Sequence, residues 1–469
     1  MRSPSISSAA ELATGSQAST GPVGRWVGSF LRSWLGVAIL LLAFSTLMVG
    51  TNVAKSPQIS PLDEYVYLDY LSKVPSQGFV RSGEETGALA RQEIACRGVL
   101  GYGGRGYYGD SCNGRSFDSD PLYPYNGLTG ADIYAPVYFA VTWLVAQPLV
   151  AVGVGLLDAG RWVNALWLWT GSIALWGLLR SLGTRPELAL GLVMLALSTP
   201  AMFWATTYVS TDAPSLAVSA ALAWVAVRIY KGRISPFWLP ILSAVAVLFK
   251  VQNLALVGLV AGSLLVVSAV DLRRVGPTQS TWWAKLFRDR VVWASILSVV
   301  AGVAAQAGWL AFRAVQSVPE GGVSSIPTSQ APLTLRALFA ESVRFVGGVG
   351  ASGPSDVSAD LMGVLVVYAL SGLTVASILG VLLSPRRFRA PVVVISAVTL
   401  LIALATGPAL VLATYASVGH YIPLPARYGI VLLPVFLVCI AMYLGSWGRR
   451  GSIAILVLGI ASAVVALLT

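Results

Sequence analysis

Charge is scarce in this chain: only 11% of its 469 residues are Asp, Glu, Lys or Arg, against 56% that are hydrophobic. Too little polar surface is available to cover a folded core, which excludes a soluble globule. Histidine is nearly missing, and His420 has no companion, which excludes a zinc site of paired cysteine and histidine ligands. Basic runs with interleaved aromatics are absent too, so the net charge of +11 gives no grounds for a nucleic-acid partner. Cysteine is confined to three positions. Cys96 and Cys112 fall in one long loop and would close a modest disulfide loop if that loop faces an oxidising compartment. Cys439 lies inside an apolar run and reads as a buried small hydrophobe.

What the chain does have is long apolar runs, with a mean hydropathy of +0.75. They fall near 34–52, 134–156, 162–179, 187–205, 214–229, 236–249, 252–270, 291–312, 359–383, 391–413, 429–446 and 452–468. A helix needs roughly 20 apolar residues to span a bilayer, so most qualify and 236–249 is short. The expected class is an all-α polytopic membrane protein. Residues 1–33 would be a cytoplasmic tail, because a region this long before the first apolar run suits a retained signal-anchor helix at 34–52 better than a cleaved signal peptide.

Basic loops at 180–185, 228–233, 271–290, 384–389 and 448–450 set the orientation, since Lys and Arg collect on the cytoplasmic side. They all fall there only if 134–156 is a re-entrant or interfacial segment within a large extracytoplasmic loop, 53–161. The remaining bundle then occupies 162–469, about eleven helices cross in total, and most of the acids lie outside.

The polar residues that stand out gather on that outer side. Asp63 and Glu64 open a helical stretch, LDEYVYLDYL, in which Asp63, Tyr67 and Tyr70 share a face while Asp69 points elsewhere as a solvated charge. The acid pair reads either as a surface base or as charges favoured by a helix N-terminus. Asp212, in STDAP, reads as a helix cap or as a site acid. Lys250 sits between two apolar segments, where a charge is costly unless it faces a partner, a cavity or the interface. His420 and Arg427 bracket a Pro-rich turn; an arginine at that depth suits a phosphate, or an anchor beside Tyr421 and Tyr428.

The order of LDEYVY (62–67), DIYAPVYF (132–139), STDAP (210–214) and RYGIVLLP (427–434) resembles the GT-C superfamily of membrane glycosyltransferases that use polyprenyl-phosphate sugars. The likeness is to actinobacterial-type members and covers about residues 34–434. It implies a GT-C-like bundle with Asp63 as catalytic base and Glu64 as its acidic neighbour. It places the donor phosphate on Arg427; from the residues themselves, Lys250 and His420 join it at the phosphate, and Tyr65, Tyr67, Asp212, Tyr134, Tyr138 and Tyr428 are candidate substrate contacts. Tyr65 and Tyr67 stand where many relatives carry histidine.

An activated lipid-phosphate sugar needs one carboxylate to take the acceptor's proton and a cation to meet the leaving phosphate. The acceptor would be a glycan, lipid or protein of the cell envelope, reached on the extracytoplasmic face of the cell membrane. Metal dependence stays open, since Asp63, Glu64 and Asp212 would also suit a divalent ion, Mg or Mn. Two rivals remain: an envelope polysaccharide polymerase or ligase leaning on Arg336 and Arg344, and a transporter using the break at Lys250.

Overall fold

The computed structural model describes residues 33–100, 123–275, 282–318, 331–352 and 361–468. Most of the expected cytoplasmic tail and Cys112 lie outside them. Among the described residues there is no strand, only isolated bridges such as Ile59 to Val99. A helix satisfies its backbone groups internally, which is what an apolar surrounding demands. Seven helical stretches are long and apolar enough to cross a bilayer, or eight if one bent pair counts as a span. The protein is therefore an all-helical, polytopic membrane protein.

Local chemistry marks where its helices start and break. Helix α1 (Trp34–Lys55) begins where the Ser33 hydroxyl accepts from the Gly36 amide at 3.2 Å. After it come α2 (Glu64–Gln77), α3 (Ala88–Arg97), α4 (Val137–Ala151) and α5 (Leu156–Ser181). Helix α4 rises only about 22 Å, too short to cross by itself, and turns into α5 through Gly153 at φ +94°. Next are α6 (Pro186–Leu197) and α7 (Pro200–Thr207), bent by 66° where Thr199 caps and Pro200 cannot continue the hydrogen-bond ladder.

Helices α8 (Ser215–Tyr230) and α9 (Trp238–Phe249) follow, and extended backbone at Lys250 separates α9 from α10 (Asn253–Val275). The series ends with α11 (Trp282–Leu286), α12 (Arg290–Val315), α13 (Leu335–Gly347), α14 (Leu361–Leu383), α15 (Ala390–Val418), α16 (Leu433–Leu444) and α17 (Gly448–Leu468).

Contacts at the two ends of α1 fix which helix ends lie together. Trp34 stacks on Trp224 of α8 and meets Trp176 of α5 edge-on, so the C-terminal ends of α5 and α8 sit beside the start of α1. At the other end Lys55 donates to the carbonyls of Leu467 and Leu468, closing α17 against α1. Helices α6 and α17 touch backbone to backbone, since a Cβ on Gly459 would stand 2.3 Å from the Gly191 carbonyl oxygen.

A second, smaller core caps the Lys55 end of the bundle. Tyr65, Tyr67, Leu68, Tyr70 and Leu71 of α2 pack against Tyr138, Phe139 and Leu157, with Tyr70 and Phe139 stacked at 3.9 Å. Asp69, expected as a solvated charge, is fully buried instead: it accepts from the Gly87 amide at 2.7 Å and pairs with Lys73 at 2.9 Å. Two further ion pairs hold the cap to the bundle, Arg97 with Asp158 and Arg313 with Asp132. Cys96 is disulfide-bonded, and Cys439 is free and buried.

Candidate functional site

The cap meets the bundle at four charged side chains from four separate turns. Asp63 precedes α2, Asp212 precedes α8, Lys250 occupies the break between α9 and α10, and Arg427 enters the tight helical turn Ala426–Leu432 ahead of α16. Asp212 accepts from Lys250 on one oxygen and from Arg427 on the other, the latter at 3.2 Å. Arg427 also lies 3.7 Å from Asp63. Two carboxylates and two cations thus form one charge-balanced quartet.

Each member has been drawn away from its ordinary local role. Asp63 stands at a helix start, but its side chain makes no capping bond; the backbone is left-handed at φ 67°. That conformation is uncommon outside glycine and here turns the carboxylate away from the helix. Asp212 likewise does not cap α8, whose boundary residue Pro214 makes no side-chain bond either. Lys250 is buried rather than reaching to an interface, and Arg427 is buried rather than anchoring at a surface. Burying charge is tolerated when it is paired and hydrogen-bonded, as all four are.

Aromatic residues line the quartet. The Tyr428 ring lies 5.0 Å from the Lys250 ammonium and 5.6 Å from the Arg427 guanidinium. Tyr67 donates to the Tyr134 hydroxyl at 3.0 Å and is within hydrogen-bonding reach of Asp63. Burial pushes the Tyr67 and Tyr134 phenols well above their usual range, so both stay protonated. Tyr138 sits one step back, accepting from the Ser210 amide at 3.0 Å. Tyr65 meets Tyr125 hydroxyl to hydroxyl at 3.3 Å. The described residues with positive φ other than glycine are Asp63, Tyr125 and Asn126, and Asp63 belongs to the quartet.

Of the quartet only Asp63 has real access to solvent, with 32% of its side chain exposed. Burial raises its carboxyl above the ordinary range, and Arg427 and Lys250 oppose that shift. Beside Asp212 and Arg427 a cavity of about 10 Å³ opens, lined by Ser60, Leu62, Trp204, Tyr208 and Ser210. That is room for about one water molecule.

Glu64 takes no part in the quartet. Fully buried, it pairs with the equally buried Arg161 of α5 at 2.8 and 2.7 Å and accepts from the Ser60 and Val209 amides at 2.8 Å each. Arg161 also donates to the Ser56 and Gln58 carbonyls. The pair clamps the backbone on both sides of the site: Ser60 leads into Asp63, and Val209 into Asp212. Arg161 is not among the residues expected from the sequence, although a charge directly ahead of the apolar run 162–179 is a signal in itself. The Nδ1 atom of His420 lies 3.0 Å from the Val418 carbonyl oxygen, a local contact at the end of α15.

The donor set does not suit a divalent metal. Asp63 and Asp212 share their oxygens with a lysine and an arginine that would repel the ion, and no group of three or more ligating side chains converges among the described residues. No family model, curated protein or solved structure matches this chain.

Proposed function

We propose that the protein is an inverting glycosyltransferase that moves a sugar from a polyprenyl-phosphate donor to an acceptor of the cell envelope. The observation that carries this reading is the pairing of one solvent-reaching carboxylate, Asp63, with buried Arg427 at 3.7 Å and Lys250 behind it. Asp63 accepts the proton of the acceptor hydroxyl, and the freed oxygen attacks the anomeric carbon. The bond from that carbon to the phosphate oxygen breaks, and the electron pair leaves with the phosphate. The donor is a phosphodiester and the product a monoester, so negative charge grows on the lipid phosphate as it departs. Arg427 and Lys250 stabilise it there, as two buried cations aimed at the place where the charge develops. Protonated Tyr67 and Tyr134 supply hydroxyls for the substrates.

About eleven crossings, with the quartet on the extracytoplasmic side of the cell membrane, agree with this chemistry. The basic loops support that orientation, and the meeting of Lys55 with the end of α17 supports an odd number of crossings, since the first and last helices then end on the same side. A polymerase or ligase built on Arg344 has less support, because Glu341 holds that guanidinium. The break at Lys250 would serve a transporter as well. Transfer of labelled sugar in nanodiscs from a short-chain polyprenyl-phosphate donor to membrane acceptors separates these readings. Asp63→Asn should lower transfer at least a thousandfold at unchanged melting temperature; retained turnover in that variant removes the base assignment.

A further inference from the structure

A cavity larger than the one beside Asp212 lies at the opposite end of the bundle from the quartet. It has a volume of about 280 Å³, near the lower bound for ligand cavities, and is walled by α5, α8, α10, α15 and α16. Asp212 precedes the first residue of α8, whereas the cavity reaches the last one, Tyr230, about 24 Å along the helix. The two sites are therefore separate.

Its walls are almost entirely aliphatic. Ala223 and Ala226 leave the space, and Leu259, Leu264 and Val438 line it. From Leu259 to Val267 the lining runs about 12 Å along α10, the depth of a chain rather than of a compact solute. The exposed cations Lys231 and Arg389 stand at the mouth, where the Lys231 ammonium donates to the Ser181 carbonyl and keeps its other hydrogens for a ligand. The nearby acid Asp271 is engaged by the Tyr230 hydroxyl. Partway down, the Ser263 hydroxyl is buried with no hydrogen-bond partner.

We infer that this cavity holds one chain of an anionic lipid, with the lipid phosphate between Lys231 and Arg389. An apolar slot of this depth at a bilayer boundary opens onto hydrocarbon, and the paired cations select a negative headgroup over a zwitterionic one. The ligand chemistry is a phosphate on a long apolar chain, which a glycerophospholipid and a polyprenyl phosphate both offer. The site does not depend on the proposed transfer reaction.

Native mass spectrometry of the intact protein tests it with three added lipids: an anionic phosphoglycerol lipid, a phosphocholine lipid with the same chains, and a polyprenyl phosphate. At least one anionic lipid should be retained about tenfold more strongly than the phosphocholine lipid, and whichever it is names the source. Lys231→Ala combined with Arg389→Ala, both at exposed positions, should abolish that preference. Ser263→Leu, which fills the slot and removes an orphaned hydroxyl, should exclude the bound lipid at wild-type melting temperature. Equal retention of anionic and phosphocholine lipids overturns the inference. So does a preference that survives the double substitution, or a lipid that stays bound in Ser263→Leu.

Discussion

At the scale of single residues, what distinguishes Asp63 is that it is half in and half out of the protein. Its carboxyl is raised by burial, while Arg427 and Lys250 pull it back and Asp212 and Tyr67 complete its surroundings. A base works only when ionised. Activity should therefore fall as the pH drops through the raised value, and the acid limb of kcat/KM should lie above the ordinary carboxylate pKa of about 4. A pH–rate profile checks this, and a limb at or below about 4 contradicts it. The polar residues of the quartet were visible in the sequence as charges placed where charges are costly. That they are neighbours was not, because each comes from a different turn and only packing of the cap on the bundle joins them. The bland alternatives also looked sound until the backbone was known: the left-handed turn at Asp63 takes its carboxylate off the helix terminus, and no spacing rule predicts that.

At the scale of elements, the Glu64–Arg161 pair does the joining. One carboxylate and one guanidinium tie the segment after α1, the start of α2, the first turns of α5 and the loop before α8. Glu64→Gln keeps the size but removes the charge, leaving Arg161 buried without its counter-ion. A loss of roughly 3 kcal/mol is expected, seen as a lower melting temperature of detergent-solubilised protein. An unchanged melting temperature would show that the pair is not what fastens the cap. Helix positions were largely legible from the apolar runs, since each run of sufficient length needs its backbone bonds satisfied. Breaks were less so: the 66° bend at Pro200 splits what reads as one run, whereas the short α4 falls in the segment that the basic loops already mark as one that does not cross.

At the scale of the whole molecule, the quartet and the aliphatic cavity lie at opposite ends, so orientation decides which compartment each serves. Ser417 and Ser446 are exposed and fall at these two ends, in the last turn of α15 and just before α17 respectively. Cysteines placed there can be read cleanly, because Cys96 is already in a disulfide and Cys439 is buried. An impermeant maleimide on intact cells should label Ser417→Cys and leave Ser446→Cys until the membrane is opened. The reverse pattern would invert the proposed sidedness. The charge balance of the quartet carries one more consequence. A phosphate arriving at Arg427 enters as an exchange of anions, taking a cation that a carboxylate held. On the proposed reading, Asp63 would then lose its nearest counter-charge and grip a proton more strongly, so donor loading would itself arm the base.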